Sequence, residues 1–549
     1  MQAPWFPIVL IRGFAASKSD IEGAVDQAFL GFEQGSTKTR QDSNGAIRPF
    51  FFESVVVRLM KDHGYDPSYR SNLPGYETDE RVDWRSIWLH RYYDLASSTY
   101  DGERLPLEDY ALDLRRQILK IRDKVCGADA AARRAFKVHL VAHSQGGLVA
   151  RSYLQKICRQ EPYVGDPALD LRSGSLVASL FTYGTPHNGI EFLGQNVPDL
   201  GPISVLQTRN FNRKVIRGYL GLGDGPKGQP KEARDLDGAL EVDRTFCIIG
   251  TNWKDFDQPS KHLTGELSDG LVMCSNAYTV DDSGPQRRHS PRAYIARAHG
   301  GPLGMVNSEE GYQNLRRFLF GDWRVDVDVR LDAIRAPDNV VTRLKDKQTA
   351  NTNYVLDVIA TVRGQQVRLH ERRNETASGV RFPAAYTKTA DNRLIDFIAP
   401  EIGPDGQPKG QKDYDPQRTA ASLYLMSPLS AETGQGNAME FALQLSLENP
   451  VFEIDRRFWL DEHIQGVSAV NELLHFRIEP ATGAVLVRHG GQGQGVATPV
   501  DAVTDPGMQA AREGFNGVVR FGPADNASLP SGGARGRVFL KVYRRKVLD

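Results

Sequence analysis

The stretch Val138-His139-Leu140-Val141-Ala142-His143-Ser144-Gln145-Gly146-Gly147 places a serine between an apolar run and a helical segment. Residues 138–142 predict a buried strand, and residues 147–154 predict a helix. Small residues stand two before and two after Ser144, at Ala142 and Gly146, as a strained and closely packed turn requires. A strand, a tight turn and a helix in this order direct backbone N–H groups and the helix dipole at negative charge formed beside the serine. Ser144 is therefore a candidate nucleophile.

Further apolar runs lie on both sides of this turn and alternate with segments of helical periodicity. This pattern predicts a mainly parallel sheet with helices on both faces, from Ile8 to about Asp322. A helix is predicted over 107–125, where apolar residues recur at spacings of three and four after Pro106. The predicted strands are residues 8–11, 87–89, 138–142, 176–183, 246–249 and 293–295.

The pattern changes after Asp322, where apolar and charged residues alternate one by one over residues 325–331. A chain of 549 residues is also too long for a single hydrophobic core. We therefore predict two domains, 1–323 and 324–549, the second all-β and of sandwich or jelly-roll type. Its predicted strands include residues 354–362, 367–370, 423–426, 441–447, 473–478, 485–487 and 537–543.

Composition excludes several classes of protein. Lys plus Arg and Asp plus Glu both number 68, so no charge excess draws the chain to nucleic acid. The four cysteines form no CxxC pair, and neither metal-ligand spacing nor an EF-hand loop is present, so no metal and no cofactor is expected. The N-terminus lacks the pattern of a Sec signal, and no stretch is long and apolar enough for a membrane span. The expectation is a cytoplasmic protein, or one exported without a Sec signal.

The turn at Ser144 resembles the lipase branch of the α/β-hydrolases, in which Ala-His-Ser-x-Gly-Gly is followed by Leu-Val-Ala-Arg. Residues 7–15, Pro-Ile-Val-Leu-Ile-Arg-Gly-Phe-Ala, are similar to the family's first strand and oxyanion loop, with Arg12 where His is common. Residues 183–189, Tyr-Gly-Thr-Pro-His-Asn-Gly, are similar to the turn after the next strand. The resemblance implies the α/β-hydrolase fold, with the N–H groups of Phe14 and Gln145 as oxyanion donors.

A serine hydroxyl needs an imidazole to take its proton, and the imidazole needs a carboxylate to hold its tautomer. In this fold the chain order is serine, acid, histidine. Ser268-Asp269-Gly270-Leu271-Val272 resembles the acid-bearing Asp-Gly-Leu-Val loop of lipases, so Asp269 is the predicted acid. Asp255 and Asp257 lie nearer the end of the preceding strand and are the alternatives.

The predicted base is His299, in Ala298-His299-Gly300-Gly301, which follows the last predicted strand and precedes a helical segment at 309–320. His289 is the competing candidate, but it comes before that strand. His143 and His187 resemble family features that shape the turns, and neither is expected to accept the proton.

These residues predict a serine-dependent carboxylic ester hydrolase, a lipase or esterase that works through an acyl-enzyme. A phospholipase, an inositol-lipid deacylase of toxin-like character, a thioesterase or a peptidase would share the triad. A non-catalytic binding module on a hydrolase scaffold is disfavoured, because serine, acid and base are all present.

An apolar segment at about 190–244 lies where this fold often carries a lid, although ordinary helices packed on the body fit the pattern equally well. The expected partner is an ester or lipid substrate. A transient contact with a lipid surface through this insertion or through the C-terminal domain is compatible with the sequence. No oligomeric state follows from the sequence.

Overall fold

The computed structural model describes most of the chain. The described residues are 3–13, 32, 37–41, 47–51, 54–66, 68, 70–71, 81–92, 106–192, 195–196, 211–225, 228–256, 261–301, 303–365, 367–388, 394–398, 417–427, 438–448, 451–454, 462–465, 470–490, 497–502, 514–524 and 527–545. They divide into two compact units, one ending at Phe320 and the other running from Gly321 to Arg545.

The first unit is built on a six-stranded, fully parallel sheet with the strand order β6-β5-β4-β3-β1-β2. Next to one edge of the sheet, Ile8 pairs with Ile87 of the edge strand on one side and with His139 on the other. This is the α/β-hydrolase arrangement, and it confirms the predicted parallel sheet. The strands are β1 (Ile8–Ile11), β2 (Ile87–His90), β3 (Val138–His143), β4 (Val177–Tyr183), β5 (Thr245–Gly250) and β6 (Arg292–Ile295).

Helices cover both faces of this sheet. Along β4, Leu180 belongs to the core that contains the long helix Leu107–Cys126. The next residue, Phe181, faces the other way and meets Phe318 of the helix Glu309–Phe320, with ring centroids 5.8 Å apart. Because both faces are covered, each strand is an almost continuous apolar run with little alternation.

Shorter elements complete the first unit. The other helices and helical turns are Val55–His63, Ala130–Ala135, Gly146–Ser152, Tyr153–Ile157, Tyr163–Gly165, Pro167–Leu169, Leu171–Ser173, Arg213–Leu220, Val242–Arg244, Lys261–Thr264 and Cys274–Asn276. Three two-stranded pairs are Thr37–Gln41 with Ile47–Phe51, Glu191–Phe192 with Gln195–Asn196, and Val280–Asp281 with Arg288–His289.

The described part of the lid-like segment packs into the body. Its helix Arg213–Leu220 buries Ile216 and Leu220, and both belong to the same core as the central sheet. Phe211 and Leu240, on either side of this helix, join that core as well. A movable cap would instead be expected to have few buried apolar contacts. A lid role for this segment stays a prediction.

The second unit consists of two antiparallel sheets that share one hydrophobic core, confirming the predicted all-β domain. One sheet has the order β12-β7-β21-β20-β19, from β7 (Trp323–Ile334), β12 (Gln417–Leu425), β19 (Asp501–Ala502), β20 (Gly514–Phe521) and β21 (Ala534–Arg544). The other sheet has the strand order β11-β10-β8-β13-β16-β17-β18. In addition, β9 and β14 pair with β8, and β15 pairs with β14. Its strands are β8 (Thr349–Val362), β9 (Arg368–Arg372), β10 (Val380–Lys388), β11 (Leu394–Ile398), β13 (Met439–Glu448), β14 (Val451–Ile454), β15 (Glu462–Gln465), β16 (Val470–Glu479), β17 (Ala484–Gly490) and β18 (Thr498–Pro499).

None of the described helices combines the length and the apolar character needed to cross a bilayer. Within the same residues, no three His, Cys, Asp or Glu side chains lie together in a group suited to a metal ion. All four cysteines are described, and all four are free thiols.

Candidate active site

Ser144 lies directly after β3, at the turn that leads into the helix Gly146–Ser152. Its φ of 54° is in the left-handed region, where a residue with a Cβ is strained. The strain is held in place by tertiary structure, because the Ser144 N–H donates to the Tyr183 carbonyl at the end of β4 at 2.9 Å. A sharp, strained turn of this kind is what a nucleophile elbow needs, and that role for Ser144 stays a prediction.

The small residues around Ser144 are required by close backbone contacts. A Cβ on Gly146 would lie 2.4 Å from the Ile11 carbonyl oxygen, so the helix can start this near β1 only with glycine. Ala142 is fully buried and pairs with Ile11 of β1 and Thr182 of β4, which leaves little room for a larger side chain. The supporting role of Ala142 and Gly146 at the turn stays a prediction.

His299 follows β6 and lies between the serine and the predicted acid. Its Nε2 is 3.0 Å from Ser144 Oγ, and its Nδ1 is 2.8 Å from Asp269 Oδ2. All three side chains are buried. The Nδ1–H donates to the carboxylate, which leaves the Nε2 lone pair facing the serine hydroxyl. This chain of hydrogen bonds is suited to removing a proton from Ser144 during nucleophilic attack.

Asp269 is held by its own loop. Its second carboxylate oxygen, Oδ1, accepts from the N–H groups of Leu271 at 3.0 Å and Val272 at 2.8 Å. Its carbonyl oxygen accepts from the His299 N–H at 2.9 Å. The Asp-Gly-Leu-Val sequence therefore supplies the acid and also forms the turn that orients its carboxylate toward the imidazole.

His143 supports His299 from the other side. Its Nε2–H donates to the His299 carbonyl oxygen at 2.9 Å, and the two rings lie 5.0 Å apart. Burial, followed by the proximity of the His299 and Arg12 side chains, lowers the pKa of His143 well below its ordinary value. His143 is thus a neutral hydrogen-bond donor that helps to position the His299 loop.

The alternative acid and base lie elsewhere. Asp255 is exposed and accepts a hydrogen bond from Asn252 Nδ2 at 2.6 Å, while Asp257 lies outside the described residues. His289 is exposed on the short strand Arg288–His289, and partial desolvation of its ring, followed by the charges of nearby arginines, lowers its pKa to about 4.

His187 is buried in the turn after β4, with Nε2 3.2 Å from Thr182 Oγ1. Burial, and then the charge of Arg151, lowers its pKa well below the ordinary value. Its Nε2 is occupied by this internal contact, and the structural role of His187 stays a prediction.

Of the two predicted oxyanion donors, Gln145 lies within the described residues and Phe14 does not. Gln145 is the N-cap of the helix Gly146–Ser152, so its N–H is among the N-terminal amides that have no acceptor within the helix. Phe14 lies outside the described residues. The preceding Gly13 is described and approaches the nucleophile closely, because a Cβ there would lie 2.1 Å from Ser144 Cβ.

One neighbour of the site is absent from the sequence-based prediction. The Phe256 ring stands edge-on to the His299 ring, with centroids 5.7 Å apart. Phe256 is buried and follows β5 in the same loop as Asp255. No motif marks it, since only the folded loop brings an apolar wall to the imidazole.

No protein-family model matches this chain, and no curated protein matches it. Among solved structures, the chain is similar to the phospholipase PlaB from Legionella pneumophila, with 10% identity, a TM-score of 0.29 and coverage of 96% of this chain and 99% of that one. It is also similar to EstA from Clostridium botulinum, with 13% identity, a TM-score of 0.28 and coverage of 57% and 87%. A putative cell surface hydrolase from Lactobacillus plantarum has 12% identity, a TM-score of 0.24 and coverage of 58% and 91%. At these identities and TM-scores the likeness carries no information on activity, which has to be inferred from the side chains of the site.

Proposed function

We propose that this chain is a serine-dependent carboxylic ester hydrolase with Ser144 as nucleophile, His299 as base and Asp269 as the orienting acid. The observation that carries the proposal is the continuous hydrogen-bond path from Ser144 Oγ through the His299 ring to Asp269, at 3.0 Å and 2.8 Å. A path of this length, built from three separate loops, matches the geometric roles that acyl transfer requires.

The reaction begins when Ser144 Oγ attacks the ester carbonyl carbon while His299 Nε2 takes the hydroxyl proton. The negative charge that forms on the carbonyl oxygen is stabilised by the Gln145 N–H, with the Phe14 N–H as the second predicted donor. His299 then gives its proton to the departing alcohol, and an acyl group remains on Ser144. Water, activated by the same imidazole, releases the acid and restores the serine.

The triad by itself does not distinguish ester substrates. A phospholipase or an inositol-lipid deacylase would use the same three side chains, and so would a thioesterase or a peptidase. We place carboxylic esters first because the sequence around Ser144, Asp269 and residues 183–189 resembles the lipase branch. A non-catalytic module would have no need for a triad with hydrogen-bonding geometry.

A substrate panel tests this function. We expect the purified 549-residue chain to hydrolyse short-chain p-nitrophenyl esters and to be labelled by a fluorophosphonate probe on the peptide that contains Ser144. Long-chain glycerides, phospholipids, thioesters and peptides in the same panel identify the preferred class. Labelling of another serine, or cleavage of peptides without any ester hydrolysis, would contradict the proposal.

Gly13→Ala is expected to lower kcat for short esters about a hundredfold, because the new methyl group must push Ser144 away from His299, and a displacement of about 1 Å can cost this much. The clash is severe, since the added Cβ would lie 2.1 Å from Ser144 Cβ and 2.7 Å from the His143 carbonyl oxygen. Turnover at saturating substrate measures the effect.

The matched control for this change is Gly284→Ala, an exposed glycine of the same unit. The closest atom to its added Cβ would be the Gln286 carbonyl oxygen at 4.0 Å. The control is expected to retain wild-type turnover. Equal activity in both alanine variants would show that Gly13 does not pack on the nucleophile.

A further inference from the structure

A groove of about 870 Å³ lies on the second unit, on the outer face of the larger sheet. Its walls are formed by the strands β8, β13, β16 and β17 together with the start of β9. A volume of this size is in the range of ligand-binding pockets. The ionisable side chains that line it are Arg363, Arg368, Arg477, Arg488, Glu440 and His475.

Strand register brings these side chains to one face. Ala442 of β13 pairs with His475 of β16, which pairs with Arg488 of β17. In the adjacent row, Glu440 pairs with Arg477. Side chains alternate between the two faces of a strand, so the intervening aromatic residues on β13 and β16 point into the buried core. The groove residues therefore share the face that is turned away from the core.

Four arginines and one glutamate line the groove, and Arg477 also pairs with Glu479, outside the lining, at 2.6 Å. When Glu479 and Glu371 are counted, the arginines exceed the carboxylates by one. Glu440 forms ion pairs with both Arg363 and Arg477. At the rim, Arg368 pairs with Glu371 at 2.6 Å. These arginines are about half exposed, and exposed ion pairs contribute little to stability, so a ligand anion can replace such partners at small cost.

Arg488 differs from the other three arginines. It is exposed, and no carboxylate among the described residues pairs with it. It faces His475 across the strands, and the charge of Arg488 adds to partial burial in lowering the pKa of His475. The nearby Glu440 raises the pKa of His475, but this effect is smaller than the lowering by burial and Arg488. An unpaired guanidinium beside a neutral imidazole provides donors that fit a phosphate group.

An exposed apolar side chain adjoins the charged groove. Leu473 lies on the same face of β16, two residues before His475, and is 36% exposed. The whole chain has a formal net charge of zero, so the positive charge here is a local feature and does not reflect the composition of the protein. Basic side chains combined with an exposed apolar residue are typical of surfaces that bind anionic lipid.

We infer that this groove binds the phosphate of an anionic phospholipid headgroup, with Arg488 and Arg477 as the main ligands and Leu473 in contact with the lipid surface. The groove lies in the second unit and none of its residues belongs to the triad, so the inference does not depend on the proposed ester hydrolase activity. It assigns specific residues to the lipid-surface contact that the sequence leaves open for this domain.

Vesicle sedimentation tests this binding with the 549-residue Ser144→Ala chain, which is expected to leave the lipid intact. The chain should bind vesicles of phosphatidylcholine mixed with phosphatidic acid and should not bind phosphatidylcholine alone. Arg488→Gln should weaken the partition coefficient about fivefold, the usual effect of one basic residue near an anionic membrane. Arg477→Gln combined with Arg488→Gln should weaken it further, and added salt should weaken binding of the unsubstituted groove.

The matched control is Arg381→Gln. Arg381 is exposed and lies on β10 between Val380 and Phe382, both in the core, so it points to the same side of the sheet as the groove. It pairs with Val355, whereas the groove begins at Thr361 on the same strand, about 20 Å away by strand rise. This variant should bind vesicles as strongly as the unsubstituted chain.

Three results would overturn the inference. The first is equal binding to both kinds of vesicle, and the second is an equal loss with Arg381→Gln and Arg488→Gln. The third is an affinity for soluble glycerol 3-phosphate, measured by calorimetry, that matches the vesicle affinity, since the ligand would then be a soluble phosphate compound. Hydrolysis of short esters by the otherwise unchanged Arg488→Gln chain reports separately on the ester hydrolase proposal.

Discussion

Replacing Ser144 with alanine is expected to reduce kcat for ester hydrolysis on the order of a millionfold, the scale of loss when a triad nucleophile is removed. The Oγ atom that accepts the acyl group would be missing, while His299 and Asp269 would keep their own hydrogen bond at 2.8 Å. Turnover of a short p-nitrophenyl ester measures the effect, and labelling by a fluorophosphonate should disappear with it.

The fold should survive this substitution. Serine and alanine are similarly strained at a φ of 54°, and the Ser144 N–H contact with the Tyr183 carbonyl is a backbone interaction that alanine retains. The thermal midpoint is therefore expected to change little. Ser275→Ala, at an exposed serine of the same unit, provides the control with full activity. Wild-type turnover by the Ser144→Ala chain would show that Ser144 is not the nucleophile.

Asp269→Asn is expected to lower kcat by about ten-thousandfold, as in other triads where the acid becomes an amide. The two N–H groups of Leu271 and Val272 already occupy the Oδ1 position at 3.0 Å and 2.8 Å, so the asparagine oxygen has to take that position. Its NH₂ group then faces His299 Nδ1 and donates to it. The imidazole proton moves to Nε2, which can no longer accept the proton of Ser144.

The informative comparison for this change is Asp255→Asn, because Asp255 is the alternative acid and is exposed in the neighbouring loop. It should keep wild-type turnover, since its carboxylate contacts Asn252 and not the imidazole. A larger loss of kcat in Asp255→Asn than in Asp269→Asn would identify Asp255, and not Asp269, as the acid that orients His299. Fluorophosphonate labelling of both variants reports whether Ser144 retains its reactivity.

Much of the fold could be predicted because its signals are local. The strands of the central sheet are short apolar runs bounded by turns, and the helix Leu107–Cys126 repeats its apolar residues every three and four positions. The turn at Ser144 is also local, since the need for small residues comes from the backbone on either side of it. The change to strict alternation after Asp322 marks the start of a differently built region for the same reason.

Other elements have no such local signal. The strand Val380–Lys388 contains Pro383, which argues against a central strand, yet it pairs with Thr349–Val362 along most of its length. The strand Gly514–Phe521 carries two glycines and is also missing from the prediction. Both are strands because neighbouring strands offer them hydrogen-bond partners, and tertiary pairing overrides residue preference.

The sequence by itself determined the alternation of sheet strands and helices in the first unit, the serine turn and the choice of candidate acid and base, because each depends on short-range patterning or on a local motif. Only the tertiary structure decided that His299, 155 residues from Ser144 and 30 from Asp269, lies within hydrogen-bond distance of both. The arginine groove is a tertiary feature in the same sense, since it exists only in the register of four strands. Such distances depend on packing between segments far apart in the chain, and no local pattern encodes them.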